Sequence, residues 1–158
     1  MTAILKDNEF LPAAIELICA AQKNIYISTF KLELITKPRG ARLKELFSAL
    51  IDKAGAGLDV RLLCNNTTGG GHIPPTNAAA IRQLSKTKIK LRGLPNEQLV
   101  HAKMLLADKT KAIVGSHNLS VMSCISNFEL SCMISDTITN TILYNIFEVI
   151  WDAAIQFS

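Results

Sequence analysis

The chain is 158 residues long and 49% hydrophobic, and it carries 17 Lys and Arg against 13 Asp and Glu, a net charge of +4. That size suits one domain with a sizeable core and is too short for two, and so apolar a composition excludes a disordered chain. No apolar run reaches the roughly 18 residues of a membrane span, and Asp7 and Glu9 precede the first apolar stretch while Pro12 and Glu16 interrupt it, unlike a secretory signal, so a cytoplasmic protein is expected.

In chain order, helical and extended patterns alternate. Leu11, Ala14, Ile15 and Ile18 share one face of a helix over about Glu9–Ala21, and Ile25–Phe30 reads as a short strand. Leu43, Leu46, Phe47, Leu50 and Ile51 recur at helical spacing, and Gly55 and Gly57 end that helix. Leu58–Cys64 is nearly continuous in apolar residues, as in a strand buried on both faces. A Thr- and Gly-rich loop follows over Asn65–Pro75, and Thr76 or Asn77 then caps a helix through about Leu84.

The second half of the chain is richer in strands. Lys88-Ile89-Lys90-Leu91-Arg92 alternates strictly, which turns Ile89 and Leu91 inward and three cations outward. Leu99–Ala107 and Lys111–Gly115 are strands joined by a tight turn at Asp108-Lys109-Thr110. Phe128–Ile134 alternates with Phe128, Leu130, Cys132 and Ile134 on one face, and Glu129, Ser131 and Met133 on the other, taken as the non-core face. A last helix runs over about Thr137–Ile155, capped by Asp136, with a broad apolar stripe through Ile138, Ile142, Ile146, Val149, Ile150 and Ala153 that serves as core or interface. This order predicts one α/β domain over residues 1–158, with a mixed β-sheet flanked by helices on both faces.

Cys19, Cys64, Cys124 and Cys132 lack C-x-x-C spacing and read as reduced core residues rather than a zinc site or disulfide framework. Every Lys and Arg lies at or before Lys111. One part of the fold therefore carries a basic surface, which suits a polyanionic substrate as readily as an ordinary solvated face.

The densest chemistry lies in His101, Lys103, Asp108, Gly115, Ser116 and Asn118, spaced H-x-K-x4-D-x6-G-S-x-N. His101 and Lys103 stand two apart on a predicted strand and project from one face; Ser116 and Asn118 stand two apart where the next strand ends. If those strands pair, the four side chains meet at one rim of the sheet. A phosphodiester resists attack because its oxygens are negative. Lys103 can supply a point charge there, Asn118 and Ser116 directional hydrogen bonds, and His101 a nucleophilic nitrogen, with no metal ion required. One ring nitrogen of His101 then needs an acceptor, for which Glu129 is the candidate.

This spacing resembles the signature of the phospholipase D superfamily, the HKD phosphodiesterases, most of all its small single-motif members of the bacterial endonuclease type. The resemblance runs nearly the length of the chain and implies a phospholipase D-like fold. It also implies that an acidic residue beyond the motif, here Glu129, orients the histidine, and that Asp108 and Gly115 serve the structure. In that family two motif copies face each other: one histidine forms a phosphohistidine, and the other protonates the leaving oxygen and later activates water. With one copy only, this chain is expected to act as a homodimer with His101 of each subunit at the two-fold axis, without cofactor or metal, on nucleic acid. A lipid phosphodiester acted on by a phospholipase or phosphatidyl-transferase stays open, as does a nucleic-acid-binding module working with a larger partner.

Other residues stay ambiguous. Lys88, Lys90 and Arg92 either track a nucleic-acid backbone or keep a sheet edge from pairing. His117 either adds a proton-transfer group or fills space, the second being favoured. Thr67–His72 reads as a surface loop or a lip over the site.

Overall fold

The computed structural model describes residues 2–34, 40–66, 75–96 and 98–157. Eight strands form one mixed sheet: β1 (Thr2–Lys6), β2 (Asn24–Ser28), β3 (Asp59–Leu63), β4 (Lys90–Gly93), β5 (Lys103–Ala107), β6 (Lys111–Gly115), β7 (Leu130–Ile134) and β8 (Ile155–Gln156). Their spatial order is β1-β7-β6-β5-β2-β3-β4-β8. β2, β3 and β4 run parallel, as helical crossovers require, and the other pairings are antiparallel. Among the described residues there are also five α-helices, α1 (Phe10–Ala20), α2 (Ala41–Gly55), α3 (Thr76–Leu84), α4 (Val121–Ile125) and α5 (Thr137–Ala153), and a 3-10 turn at Asp7–Glu9. The predicted α/β architecture with a covered sheet is the one observed.

Residue alternation along the strands builds a core on each side. Ile25, Ile27, Val60, Leu62, Leu105 and Ile113 pack with buried residues of α1, α2, α3 and α4. Tyr26, Leu63, Met104, Leu106 and Ala112 pack under Tyr144, Phe147 and Trp151 of α5. Strand β3 is thus covered on both faces, as its near-continuous apolar run predicts.

Several elements depart from the sequence reading. Strand β1 and the short α4 are not predicted; β1 is mostly exposed, and its single buried residue, Leu5, is too little pattern to read. Residues 99–102 are irregular, so β5 starts at Lys103 and His101 precedes it. Asn77 does not cap α3; it is fully buried within the chain's interior network. Asp136 does cap α5, its Oδ2 accepting from Thr139 N at 2.7 Å.

The last strand reverses its expected faces, and of the two roles expected for the apolar stripe of the last helix the core is excluded for most of it. Glu129 and Ser131 are buried, whereas Phe128 is 75% exposed. α5 meets the sheet with Asn140, Tyr144, Phe147 and Trp151, and turns Ile138, Ile142, Ile146 and Val149 to the outside. Hydrophobicity identifies the apolar stripe there but not the side that is covered, because the buried face carries Asn140 and Tyr144 along with its other aromatic residues while the aliphatic stripe faces out.

Candidate active site

Pairing of β5 with β6 sets Lys103 opposite Gly115, which places His101 and Lys103 beside Ser116 and Asn118. Pairing of β5 with β2 puts Ser28 opposite Met104, so the loop after β2 joins the same end of the sheet. Gly115 is required here by closeness rather than by backbone angle. A Cβ at that position would fall inside the contact distance of Ser131 Oγ, Ser131 Cα and the Leu130 carbonyl oxygen.

Lys103 Nζ lies 3.1 Å from His101 Nδ1 and donates to the His101 carbonyl at 2.6 Å. Partial burial pulls the Lys103 ammonium below the ordinary lysine range, and the nearby Glu129 charge opposes that pull. The Phe30 ring closes one side of the pair, with its centroid 5.1 Å from the His101 ring and 5.8 Å from Lys103 Nζ.

Asn118 is fixed through its side-chain oxygen, which accepts from Lys31 N at 2.9 Å and Phe30 N at 3.2 Å. Those two donors assign the oxygen end of the amide, so Nδ2 is the end left to donate. Behind it, Ser123 Oγ accepts from Asn118 N at 2.8 Å and donates to Glu129 Oε1 at 2.7 Å. Ser116 Oγ donates to Glu129 Oε2, and Asn127 Nδ2 to Glu129 Oε1 at 3.2 Å. Burial pushes the Glu129 carboxyl up, but the bonds from Ser116, Ser123 and Asn127 outweigh it and hold the group below the usual carboxylate range.

The structure thus brings together His101, Lys103, Ser116, Asn118 and Glu129, with one difference from expectation. Glu129 spends its oxygens on Ser116, Ser123 and Asn127, and among the described residues it makes no hydrogen bond to His101. Its place is on the buried face of its strand rather than the open one, where it organises the Ser116–Asn118 side of the site.

Asp108 lies at the opposite end of β5. Its carboxylate accepts from Gln22 N, Lys23 N and Asn24 N at 2.7 to 3.0 Å, tying the β5–β6 turn to the start of β2. Burial raises its carboxyl less than those three backbone donors lower it. Asp108 and Lys109 both adopt positive φ (54° and 57°), the tight-hairpin conformation that Asp tolerates.

The basic strand does not face the site. Lys90 is bound to Asp59 at 2.7 Å at the far end of the sheet, and Lys88 is within 3.5 Å of the Gly55 carbonyl. Arg92 reaches the level of the site but turns under α5, donating to the Trp151 carbonyl at 2.8 Å and lying over its ring. Strand β8 pairs with this strand, so it is not an edge either. Ile89 and Leu91 turn inward as alternation predicts; Lys88 and Lys90 stay exposed, and Arg92 alone is drawn under a helix.

His117 is buried, stacked on Phe10 at 4.4 Å, and bonded to Ser131 Oγ at 2.7 Å and the Asp7 carbonyl at 2.9 Å. It pins the segment after β1 to β7, and burial lowers its pKa. The Thr67–His72 loop lies outside the described residues.

Two residues that sequence reasoning missed hold the site from behind. Asn65 bonds both backbone groups of Val100, accepting from N at 2.8 Å and donating to O at 3.0 Å, and so fixes the residue before His101. Asn77 donates to the Phe30 and Asn65 carbonyls and accepts from Leu32 N at 2.9 Å. The one available signal was amide residues following an apolar strand and opening a helix. Their partners lie tens of residues away, which no local pattern records.

A family model described as cardiolipin synthase, phospholipase D-like domain, matches residues 14–151. No curated protein sequence matches the chain. Among solved structures, the chain is similar to Nuc of Salmonella typhimurium, a phospholipase D family member, at TM-score 0.78 and 16% identity over 99% of each chain. NucT of Helicobacter pylori gives TM-score 0.76 at 16% identity, again over 99% of each chain. The phosphatidylserine synthase of Haemophilus influenzae gives TM-score 0.76 at 14% identity, covering 99% of this chain and 39% of the other. At such identities the likeness is one of fold.

Proposed function

The chain belongs to the phospholipase D-like family, and on that premise we propose that it is a phosphodiesterase that cleaves DNA or RNA without a metal ion, in a site shared by two copies of the chain. The observation that carries this reading is the convergence of His101, Lys103 and Asn118 at one end of the sheet, with the Asn118 amide locked by the backbone of Phe30 and Lys31. Full-length likeness to Nuc and NucT favours it.

In this mechanism a His101 ring nitrogen attacks phosphorus while Lys103 and Asn118 Nδ2 bind the phosphate oxygens. The P–O bond to the leaving group breaks, and the leaving oxygen takes a proton from the partner subunit's His101. That second imidazole then removes a proton from water, which displaces His101 from phosphorus and releases the phosphomonoester. A single motif supplies only one of the two histidines this sequence of steps needs. The exposed apolar residues Phe128 and Leu130, next to Glu129 and Ser116, support burial of this rim against a second copy.

The test is hydrolysis of single- and double-stranded DNA, RNA, a chromogenic phosphodiester and cardiolipin by the wild type and His101→Ala, each with and without EDTA. Nucleic-acid cleavage that survives EDTA and vanishes in His101→Ala is expected. Activity retained in the variant removes His101 as nucleophile, and turnover abolished by EDTA and restored by a divalent ion overturns the metal-free route. A catalytically competent monomer in sedimentation contradicts the shared site. Cleavage of cardiolipin alone would favour the second reading, a lipid phosphodiesterase, to which the family description and the phosphatidylserine synthase likeness point.

A further inference from the structure

Beside the reacting groups stands an aromatic ring that the chemistry above does not use. Phe30 follows β2, is partly buried, and sits within 5.1 Å of the His101 ring and 5.8 Å of Lys103 Nζ, measured from its centroid. Its backbone is held with unusual completeness. Its N donates to Asn118 Oδ1 at 3.2 Å, and its carbonyl accepts from Asn65 Nδ2 at 3.2 Å and from Asn77 Nδ2 at 3.0 Å. Asn65 and Asn77 are themselves buried. Three amide side chains from three separate elements therefore converge on this one peptide, which is more than an ordinary loop residue needs for satisfaction.

Resting on the nuclease reading, we infer that Phe30 is a stacking platform for an unpaired nucleobase next to the scissile phosphate, and that the enzyme acts on single-stranded nucleic acid. A phosphate held between His101 and Lys103 lies alongside this ring, and a base one sugar away from that phosphate falls within its reach. Every base has a π-face, so stacking of this kind adds affinity without sequence preference. A paired base already has both faces occupied by its neighbours in the duplex, so the same ring gains nothing from it unless the helix opens. An acyl chain has no π-face to offer. The backbone N–H of Lys31, bonded to Asn118 Oδ1 at 2.9 Å, sets the next residue of the same loop at the edge of the site and continues the wall along which the strand would run.

The competing role for Phe30 is mechanical, a prop for the His101 ring, and the two separate cleanly. Wild type, Phe30→Leu and Phe30→Tyr are assayed on a short thymidine homopolymer, on the same backbone made of abasic residues, and on a duplex. Leucine keeps apolar bulk against His101 and removes the aromatic face; tyrosine keeps the face. Wild type and Phe30→Tyr are expected to prefer the thymidine strand over the abasic one in kcat/KM by about 5- to 150-fold, the worth of one stacked base. They are also expected to cleave it faster than the duplex. Phe30→Leu is expected to close the gap by losing rate on the thymidine strand alone. Equal losses on both strands would assign Phe30 to propping His101 and overturn the inference, as would a wild type that does not discriminate between them. In either of those outcomes cleavage itself persists and the nuclease reading stands; a wild type that hydrolyses no strand ends both.

Discussion

Gly115→Ala probes the contact that joins the two halves of the motif. Gly115 has no positive φ, so alanine meets no backbone penalty there. The new Cβ would instead land well inside the roughly 3.5 Å of normal carbon contact, against Ser131 Oγ, Ser131 Cα and the Leu130 carbonyl oxygen. Two of those three atoms cannot rotate away, one being backbone and the other a peptide oxygen, so β6 and β7 must separate. Overpacking of this sort costs about 1–3 kcal/mol, which for a chain of this size lowers Tm by roughly 2–12 °C. The same separation loosens the Ser116 N to Leu130 O bond of 3.0 Å and shifts Ser116 and Asn118 away from Lys103, so activity falls further than stability does. Gly55→Ala is the control: nothing lies within 4 Å of its Cβ at the end of α2, and it should be neutral or stabilise by up to about 1 kcal/mol. Thermal melts of the two variants side by side decide the matter. A Gly115→Ala protein that melts with the wild type would show that β6 and β7 are not packed this closely.

Asn118→Asp keeps the oxygen that accepts from Phe30 and Lys31 but removes the Nδ2 donor and adds a negative charge, so the fold should survive while kcat falls by about 10²–10³, as when one oxyanion donor is lost; unchanged kcat would remove Asn118 from phosphate binding. Asp108→Asn should leave kcat nearly intact and cost about 1–3 kcal/mol at neutral pH in urea unfolding. Because the folded carboxyl is depressed, its stabilisation is complete above the ordinary Asp value of about 3.9 and is lost as pH falls through the lower folded value; the variant should lose less stability than the wild type on acidification, and parallel acid limbs would refute this. Asn65→Ala strips both backbone partners from Val100 and one from Phe30, leaving buried groups unpaired, and should cost about 2–4 kcal/mol along with much of the activity; a variant as active and stable as wild type would show that Val100 is held by other means.

What the sequence made legible was periodic or local. The burial of β3, the hairpin at Asp108 and the Asp136 cap each follow from a handful of neighbouring residues. The motif spacing places His101, Lys103, Ser116 and Asn118 at one rim because pairing of β5 with β6 brings the start of one strand beside the end of the other, with His101 just before β5 and Ser116 and Asn118 just after β6. The rest depended on contacts across the chain. Asn65 and Asn77 look like loop and cap residues until Val100 and Phe30 are brought to them. Glu129 lies on the buried side because Ser123, from a helix too short to show a period, donates to it. Lys90 and Arg92 were given the right facing and the wrong surroundings, since nothing near them in sequence announces Asp59 or Trp151.

The geometry of His101 also bears on the proposal that two copies of the chain share one site. Among the described residues its ring shares hydrogen bonds only with Lys103, which as an ammonium can only donate. Both ring nitrogens lie within reach of that ammonium, at 3.1 and 3.4 Å, and on the proposed mechanism one of them supplies the lone pair that attacks phosphorus. A phosphate entering the site gives Lys103 a better acceptor, in charge and in number of oxygens, than an imidazole nitrogen. On the proposed mechanism Lys103 then turns to the substrate and frees the imidazole as it binds the group to be attacked. Nothing in this exchange supplies the proton that the leaving oxygen requires: Lys103 is engaged with phosphate, and Glu129, held below the usual carboxylate range by its three donors, is ionised and buried on the far side of Ser116. A second exposed imidazole brought face to face with the first satisfies that requirement with no new residue, which is the chemical argument for two copies meeting at His101.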